Sequence, residues 1–474
     1  MQYQIGDFLK RIRVPVTIED SKTYRLVTIR MNHKGVVLRE EKLGSAIGTK
    51  TMYRVSAGQF ILSGIDARNG AFGIVPEELD GAVVTNDFWY FEIDRTIISK
   101  DYFLYLTSTP LFAEIVRKAS DGTTNRVRLQ ADKFYNYQIS LPDVADQATI
   151  ISEVIKHEAA IRIVQAELQT QQTLLTKLRQ AILHEAVQGK LTAKWREERG
   201  LAEQYANQQV LGSSPGWTAP KQLETGAELL AKIRAEKAEL IRQGKLRKEK
   251  SLPPITDAEK PFELPEGWVW CRLGDLGTFC GGGTPSKNNP DYWKGEVPWV
   301  SPKDIKMDYI YDSIDHISTD AIQNSSAKLI EPNSILMVVR GMTLLKRFPT
   351  AINKVPVTLN QDVKAITFYS EEVMLYIFTC LKGLENLVLK VINTATHGTG
   401  KLDTELIVNF LIPLPPLTEQ QVIVAQEERL LQQVNRLEAE NKQQQEGVGR
   451  LMQAVLREAF AGKETVNEQL PLVI

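Results

Sequence analysis

Fifteen residues constrain this chain more than any others, because they occur twice. Leu178–Thr192, LRQAILHEAVQGKLT, returns as Leu451–Thr465, LMQAVLREAFAGKET, with Leu, Gln, Ala, Leu, Glu, Ala, Gly, Lys and Thr in matching places. The offset is 273 residues, and it also carries Ile139-Ser140-Leu141-Pro142 onto Ile412-Pro413-Leu414-Pro415, Leu129 onto Leu402 and Gln147 onto Gln420. Self-similarity at one fixed offset dictates architecture before any local propensity does. A chain of 474 residues is too long for one core, and the repeat divides it into two related halves.

Seven-residue spacing identifies what the repeated stretch terminates. Val154, Ile161, Leu168, Leu175 and Ile182 recur every seven residues, with Val164 and Leu178 three positions after Ile161 and Leu175. That is the seam of a coiled coil about 40 residues long, roughly 60 Å at 1.5 Å per residue. Gly189 ends it as a glycine cap. A second helix after Pro416 carries Leu430, Val434, Leu437, Val448, Leu451 and Val455 on the corresponding seam, with Asn441 at the place of Leu168. Polar His157 and Gln171 fall on the first seam and are read as setting helix-pair register.

The rest alternates short β-like runs with helical segments. Tyr24–Ile29, Gln59–Ser63, Ala82–Thr85 and Phe88–Ile93 are broken by turns such as Arg68-Asn69-Gly70, and a helical pattern covers Lys100–Ala119. A second globule opens at Leu264-Pro265-Glu266-Gly267-Trp268, and its Leu273-Gly274-Asp275-Leu276 answers Ile5-Gly6-Asp7-Phe8. The resulting division is a first globule over 1–143, a helix over 144–192, a linker over 193–262, a second globule over 263–416, a helix over 417–463 and a tail over 464–474. The charged linker contains one helix, Ala227–Arg242, ending at Gly244, and the run Lys245–Lys250 reads as its solvated end. The expected fold is α/β (α+β): two globules joined by two long antiparallel coiled-coil helices in an internal pseudo-twofold repeat.

Composition narrows the function classes. Apolar residues make up 43%, charged residues 24%, and mean hydropathy is −0.21, as in ordinary soluble globular proteins. The opening MQYQIGDFLKRIR carries charges where a secretory signal needs an apolar run, and no stretch approaches the ~18 apolar residues of a membrane span. The three cysteines, Cys271, Cys280 and Cys380, form no CxxC pair and read as reduced thiols, so a cytoplasmic location is expected. Net charge is −1, so any nucleic-acid binding has to rest on local basic surface.

No catalytic pattern emerges. The sequence has no GxxxxGK[ST] phosphate loop, no HExxH and no Cys/His set with zinc spacing, and none of its five histidines sits in a nucleophile context. Gly281-Gly282-Gly283-Thr284-Pro285 lacks a following helical pattern and reads as a turn. Asn289-Pro290-Asp291-Tyr292 is similar to the Asn-Pro-Pro-Tyr box with which adenine methyltransferases hold their base. Its third residue is Asp and no glycine-rich S-adenosylmethionine motif precedes it, so it reads as a loop. The chain is expected to catalyse nothing, to hold no metal and to carry no cofactor of its own.

A symmetric scaffold with two dissimilar heads suits DNA, whose half-sites repeat along the helix. Donors cluster on loops and strand ends. In the first globule they are Arg30, Asn32, Lys34, Arg68, Asn69, Thr123, Asn125, Arg126 and Arg128. In the second they are Lys287, Asn288, Lys303, Lys306, Arg340, Lys346, Arg347, Thr399 and Lys401. Arg and Lys suit guanine edges or phosphate, and Asn suits adenine.

The stretches LRQAILHEAVQGKLT, LPEGWVWCRLGDLGTFCGGGTPSKNNPDYWKGEVPWVSPKDI and LIPLPPLTEQQVI resemble the specificity subunit of type I restriction–modification enzymes over nearly the whole chain. The resemblance implies two target recognition domains, each reading one half of a split double-stranded DNA sequence, with helical regions fixing the gap. It implies two methyltransferase subunits, carrying S-adenosylmethionine, docked around those helices. Restriction/translocase subunits using ATP and Mg would complete the complex, and no membrane is involved. One departure is that the first globule starts at Ile5-Gly6-Asp7-Phe8 without the Glu-Leu-Pro-Glu-Gly-Trp lead-in of the second. The contrasting expectation is an architectural coiled-coil protein whose globules bind protein partners.

Overall fold

The computed structural model describes residues 1–121, 128–200, 224–248, 251–394 and 398–460. It divides into two compact units: residues 1–171 together with the end of the chain from 440, and residues 172–439.

In the first unit, aromatic strand formers dictate the core. Strands Leu9–Ile12, Phe88–Ile93, Phe60–Ser63 and Phe72–Ile74 form an antiparallel four-stranded sheet in that order. Because side chains alternate along a strand, Phe60 and Leu62 face one core with Phe91, Phe103 and Phe112, while Ile61 faces another with Val27 and Tyr90. The Phe60 and Phe103 rings meet edge-on at 4.8 Å, the arrangement that their quadrupoles favour. Two capped helices close the first core: Ser99 accepts from Tyr102 N over Lys100–Thr107, and Thr109 accepts from Phe112 N over Pro110–Lys118. A five-stranded sheet, ordered Pro15–Thr17, Thr51–Arg54, Val83–Val84, Thr23–Ile29, Val36–Leu43, covers the other face.

The second unit builds its globule differently. Gly277–Gly281, Val363–Phe368, Ile335–Val338, Thr350–Asn353 and Tyr309–Ile310 make a five-stranded sheet. Ile335, Met337, Ile352 and Ile366 pack with the helix Met374–Gly383, whereas Leu336, Val338, Ala351 and Ala365 serve a second core. The sequence did not anticipate the strand order or the sheet count of either globule.

The stems are alike. Gln2–Gln4 pairs with Gln138–Ser140 in the first unit, and Val269–Arg272 pairs with Leu411–Leu414 in the second. The matched glutamines lock each stem to the helix that follows. Gln147 Nε2 donates to Pro142 O at 2.9 Å, and Gln420 Nε2 donates to Pro415 O at 2.9 Å, both from buried positions.

Part of the expected linker belongs to the second globule. Helix Gly226–Arg242 opens with a capping box, Thr225 with Glu228, and buries Leu229, Leu230 and Ile233 in the core. Gly226 lies so close to Leu414 O that a Cβ would sit 2.1 Å from it, so glycine is required there. Arg234 grips Asp275 through two hydrogen bonds of 3.2 and 3.1 Å. Buried Arg272 holds the following segment, donating to Pro253 O at 2.8 Å, Pro254 O at 3.2 Å and Glu259 Oε1 at 2.9 Å. A high count of charges concealed a short apolar face.

Two 44-residue helices, Val144–Val187 and Leu417–Phe460, run antiparallel where they meet within each unit. In the first unit Val154 shares a groove with Val455, while Leu168 O accepts from Asn441 Nδ2 at 3.1 Å. In the second unit Arg179 bonds Glu438 at 2.9 Å and also reaches Asn435, while Thr192 Oγ1 donates to Glu419 at 2.7 Å. The buried column is Val154, Ile161, Leu168 and Ile182, with Leu175 half-buried, and on the other helix Val434 is buried with Leu430, Val448 and Val455 half-buried.

The second column of the seam lies three residues before the first, not three after it. Val164, Leu178, Leu437 and Leu451, expected in the seam, are 46%, 45%, 47% and 53% exposed. Their places are taken by Ile151, Glu158, Gln172, Arg179 and Ala186, all buried or half-buried, with Gln165 of the same column exposed. Glu158 is satisfied by Tyr105 and Arg162, and Arg179 by Glu438, so polar residues fill a column that apolar counting rejects. His157 is exposed, with Nδ1 on Glu153 O at 2.8 Å.

Candidate nucleic-acid interface

In the first globule two turns are fastened into one tip. Arg30, Asn32 and Lys34 occupy the connection between strands Thr23–Ile29 and Val36–Leu43, and Arg68 and Asn69 occupy the turn after Phe60–Ser63. Asn32 N donates to Asn69 O at 2.8 Å and His33 N to Gly70 O at 3.1 Å. Reaching those acceptors puts Asn32 at φ 59 and His33 at φ 57, consecutive left-handed residues, a conformation Asn tolerates better than most side chains. Gly70, at φ 74, must lack a Cβ because one would approach the His33 ring at 3.0 Å. The His33 ring then lies edge-on to Phe72 at 4.9 Å, which ties the tip to the core.

A cleft of about 530 Å³ opens between these turns, lined by Met31, Asn32, His33, Arg68, Asn69 and their neighbours, with no carboxylate in its wall. Arg30, Lys34 and Arg68 are exposed and form no ion pair with a described residue. Three uncompensated cations around carboxamide donors attract a polyanion and offer donors to base edges. Arg128 is engaged by Asp87 at 3.0 Å. Thr123, Asn125 and Arg126 lie outside the described residues.

The second globule gathers five of its nine expected residues. Arg340 and Lys401 are cross-strand partners, as are Gly341 and Gly400, and Thr399 adjoins them. The short helical turn Met342–Leu345 follows Gly341 and leads into Lys346 and Arg347. Leu344 anchors this turn by burying itself over Gly400, where a Cβ would meet it at 3.1 Å. Lys401 bonds Asp403 at 2.6 Å, which lowers that carboxyl below its ordinary value, while Arg340 is only 3.9 Å from Asp362. Lys346 and Arg347 are exposed and form no ion pair with a described residue.

The remaining four lie elsewhere. Lys287 and Asn288 are exposed on the turn after the glycine run, where Gly282 passes so close to Asn360 O that a Cβ would sit at 2.0 Å. Lys303 is held by Asp315 at 2.7 Å, and Lys306 is exposed nearby. Asn289-Pro290-Asp291-Tyr292 forms a tight turn in which Asn289 Oδ1 accepts from Asp291 N at 3.2 Å and Asp291 pairs with Lys294 at 2.9 Å. The Asn oxygen a methyltransferase would offer to a base is thus spent locally.

Sequence reasoning passed over His33, Met31 and Met342. The Asn-His-Lys-Gly run of residues 32–35 was a turn signal, but its partner loop is over thirty residues away and left no local trace. Among the described residues no group of His, Cys, Asp or Glu could hold a metal ion, and no described helix is long and apolar enough to cross a membrane.

The geometry defines a class: mixed α/β globules, each with a cationic tip, rooted by matched stems on long paired helices. The family model for the type I restriction modification DNA specificity domain matches residues 2–171 and again 265–446, so the chain belongs to that family. It is 38% identical over 198 residues to the Escherichia coli EcoR124I/EcoR124II specificity subunit, covering 41% of this chain and 48% of that one. It is 27% identical over 377 residues to the Escherichia coli EcoAI specificity subunit, covering 72% of this chain and 61% of the other. The chain thus spans about half to three-fifths of the length of these curated relatives. Its fold is also that of the HsdS subunit from Thermoanaerobacter tengcongensis (TM-score 0.51, 18% identity, 98% of this chain and 96% of that one). A chain from a study of type I R-M system assembly and conformational transition aligns with TM-score 0.63 at 19% identity, covering 98% and 97%. Both relatives named above are specificity subunits of type I restriction enzymes.

Proposed function

We propose that the chain reads a bipartite double-stranded DNA target, one half-site with each globule, while the paired helices fix the non-specific gap. It catalyses nothing itself. Two methyltransferase subunits bearing S-adenosylmethionine dock on the helices, and restriction/translocase subunits with ATP and Mg complete the complex, in the cytoplasm.

The observation that carries this reading is the contrast between tips and helices. Each tip sets free cations on a different backbone frame, in a chain whose net charge is only −1, so its attraction for a polyanion is local. The helices instead repeat one solvent-facing stripe: Val164 with Leu437, Glu167 with Glu440, Leu178 with Leu451, Ala181 with Ala454 and Glu185 with Glu458. Exposed apolar residues repeated at one offset suit two copies of one partner. Leu174, opposite Gly447, is the exception in the stripe.

The test is to co-express the chain with its methyltransferase subunit and map modified adenines by long-read sequencing. A split motif with a fixed gap is expected. An assembled complex that marks no such motif would overturn the reading in favour of an architectural protein-binding scaffold.

A further inference from the structure

Four of the eight methionines of this protein stand exposed, Met1 among them. Past the first residue, the described methionines that stand exposed are Met31 at 49%, Met307 at 70% and Met342 at 64%. A single exposed apolar side chain is ordinary. Its surroundings distinguish two of these three.

Met31 stands on the first tip between Arg30, Lys34 and Arg68, in a cleft wall free of carboxylates. Met342 stands on the short turn of the second globule, between Arg340 and the free cations Lys346 and Arg347. Both are fixed by their backbone: the first through the bonded turns, the second through buried Leu344 beneath it. Met307 has a mixed setting. Exposed Lys306 precedes it, but Asp304 stands three residues before, Asp308 after it is paired with Lys382 at 2.7 Å, and neighbouring Lys303 is paired with Asp315. Each of the first two places gathers at least two unpaired cations, whereas among the described residues Lys306 alone is unpaired beside the third.

We propose that Met31 and Met342 are base-contacting residues, each touching the base pairs of its own half-site while the adjacent cations seat the flanking phosphates. The inference rests on the DNA-reading function above and names which side chains do the reading. Methionine is suited to such a contact because its unbranched, polarisable thioether fits irregular apolar surface. DNA offers such surface in thymine methyl groups and in the faces of opened base steps. The contact is apolar, so it discriminates by shape and leaves the salt dependence to the cations.

The full chain, co-expressed with the methyltransferase subunit, provides the test. Met31→Ala should raise modification at targets mismatched in the first half-site by about ten-fold and leave the second half-site at wild-type fidelity. Met342→Ala should do the reverse, Met307→Ala should do neither, and Met31→Leu should restore most of the fidelity lost by alanine. Wild-type fidelity in both M31A and M342A would overturn the proposal. So would equal relaxation in M307A, loss at both half-sites from one variant, or abolished modification. A wild-type complex with no split motif would instead refute the function proposed above, and this contact assignment with it.

Discussion

One outward stripe of the two long helices returns almost unchanged, while several places in the seam between them do not. On the stripe, Leu178, Ala181 and Glu185 return unchanged as Leu451, Ala454 and Glu458. In the seam, Val154 returns as Glu427, Leu168 as Asn441 and Arg179 as Met452. Ordinary helix pairs invert this, with fixed interiors and variable exteriors. The difference follows from the antiparallel pairing: a seam residue answers only to the opposite helix of the same chain, so the two sides can diverge together. Buried Glu427 shows such divergence, since Thr379 of the second globule donates to it while burial pushes its carboxyl above the ordinary value. A residue facing outward answers to something that does not diverge.

The largest expected effect separates the helix starts. Glu419 is buried and accepts from Thr192 Oγ1, Arg196 and Trp268 Nε1, the last at 2.9 Å. Its repeat partner, Asp146, is exposed. Glu419→Ala leaves the half-buried Arg196 guanidinium without its carboxylate and the buried indole N–H of Trp268 without an acceptor, and should destabilise the second unit by about 3 kcal/mol. Asp146→Ala should cost less than about 0.5 kcal/mol. Urea unfolding of the two variants checks the pair, and similar losses from both would show that the helix starts are built alike after all.

A middling effect is expected at the buried amide of the first unit. Asn441 Nδ2 donates to Leu168 O at 3.1 Å and to Gln171 Oε1 at 3.2 Å, and its Oδ1 accepts from Gln445 at 2.9 Å. The Leu168 carbonyl belongs to a helix, and Gln171 and Gln445 are exposed, so Asn441→Leu leaves no orphaned group. It should be neutral to stabilising by about 1 kcal/mol. Asn441→Asp should cost about 2 kcal/mol, because it aims a charge at that carbonyl. Thermal melts rank the three proteins. A large loss in the leucine variant would mean that the seam depends on its amide as the second unit depends on Glu419.

Part of this was legible before any coordinates. Repeated residues announce repeated elements, so both long helices, both stems and the paired glutamines at 147 and 420 could be read from the offset. The tip at Asn69 was also legible, since Arg-Asn-Gly can do little but turn. Two things were not. A helix presents a line of side chains on either side of Val154, and the partner decides which is covered; here it covers the largely polar line of Glu158 and Arg179 and leaves Leu178 exposed. Buried Arg272 draws its acceptors from residues 13 to 137 positions away, so nothing local marked it as the clasp of the expected linker. The base-reading chemistry lies in loops whose geometry two distant segments create jointly. There sequence supplied the residue types and left their grouping open.

The smallest effect on folding should carry the clearest functional signal. Leu178 and Leu451 lie half in water and support no described core, so replacing either with Glu should change stability by less than about 0.5 kcal/mol. If the repeated stripe receives two copies of one partner, each substitution places a charge in one of two equivalent apolar contacts. Native mass spectrometry of the chain purified with its methyltransferase subunit should then show one bound copy for Leu178→Glu, one for Leu451→Glu and none for the double variant. Two copies retained in the double variant would mean that the likeness of the outer faces has some origin other than docking, and the contrast between face and seam would lose its explanation.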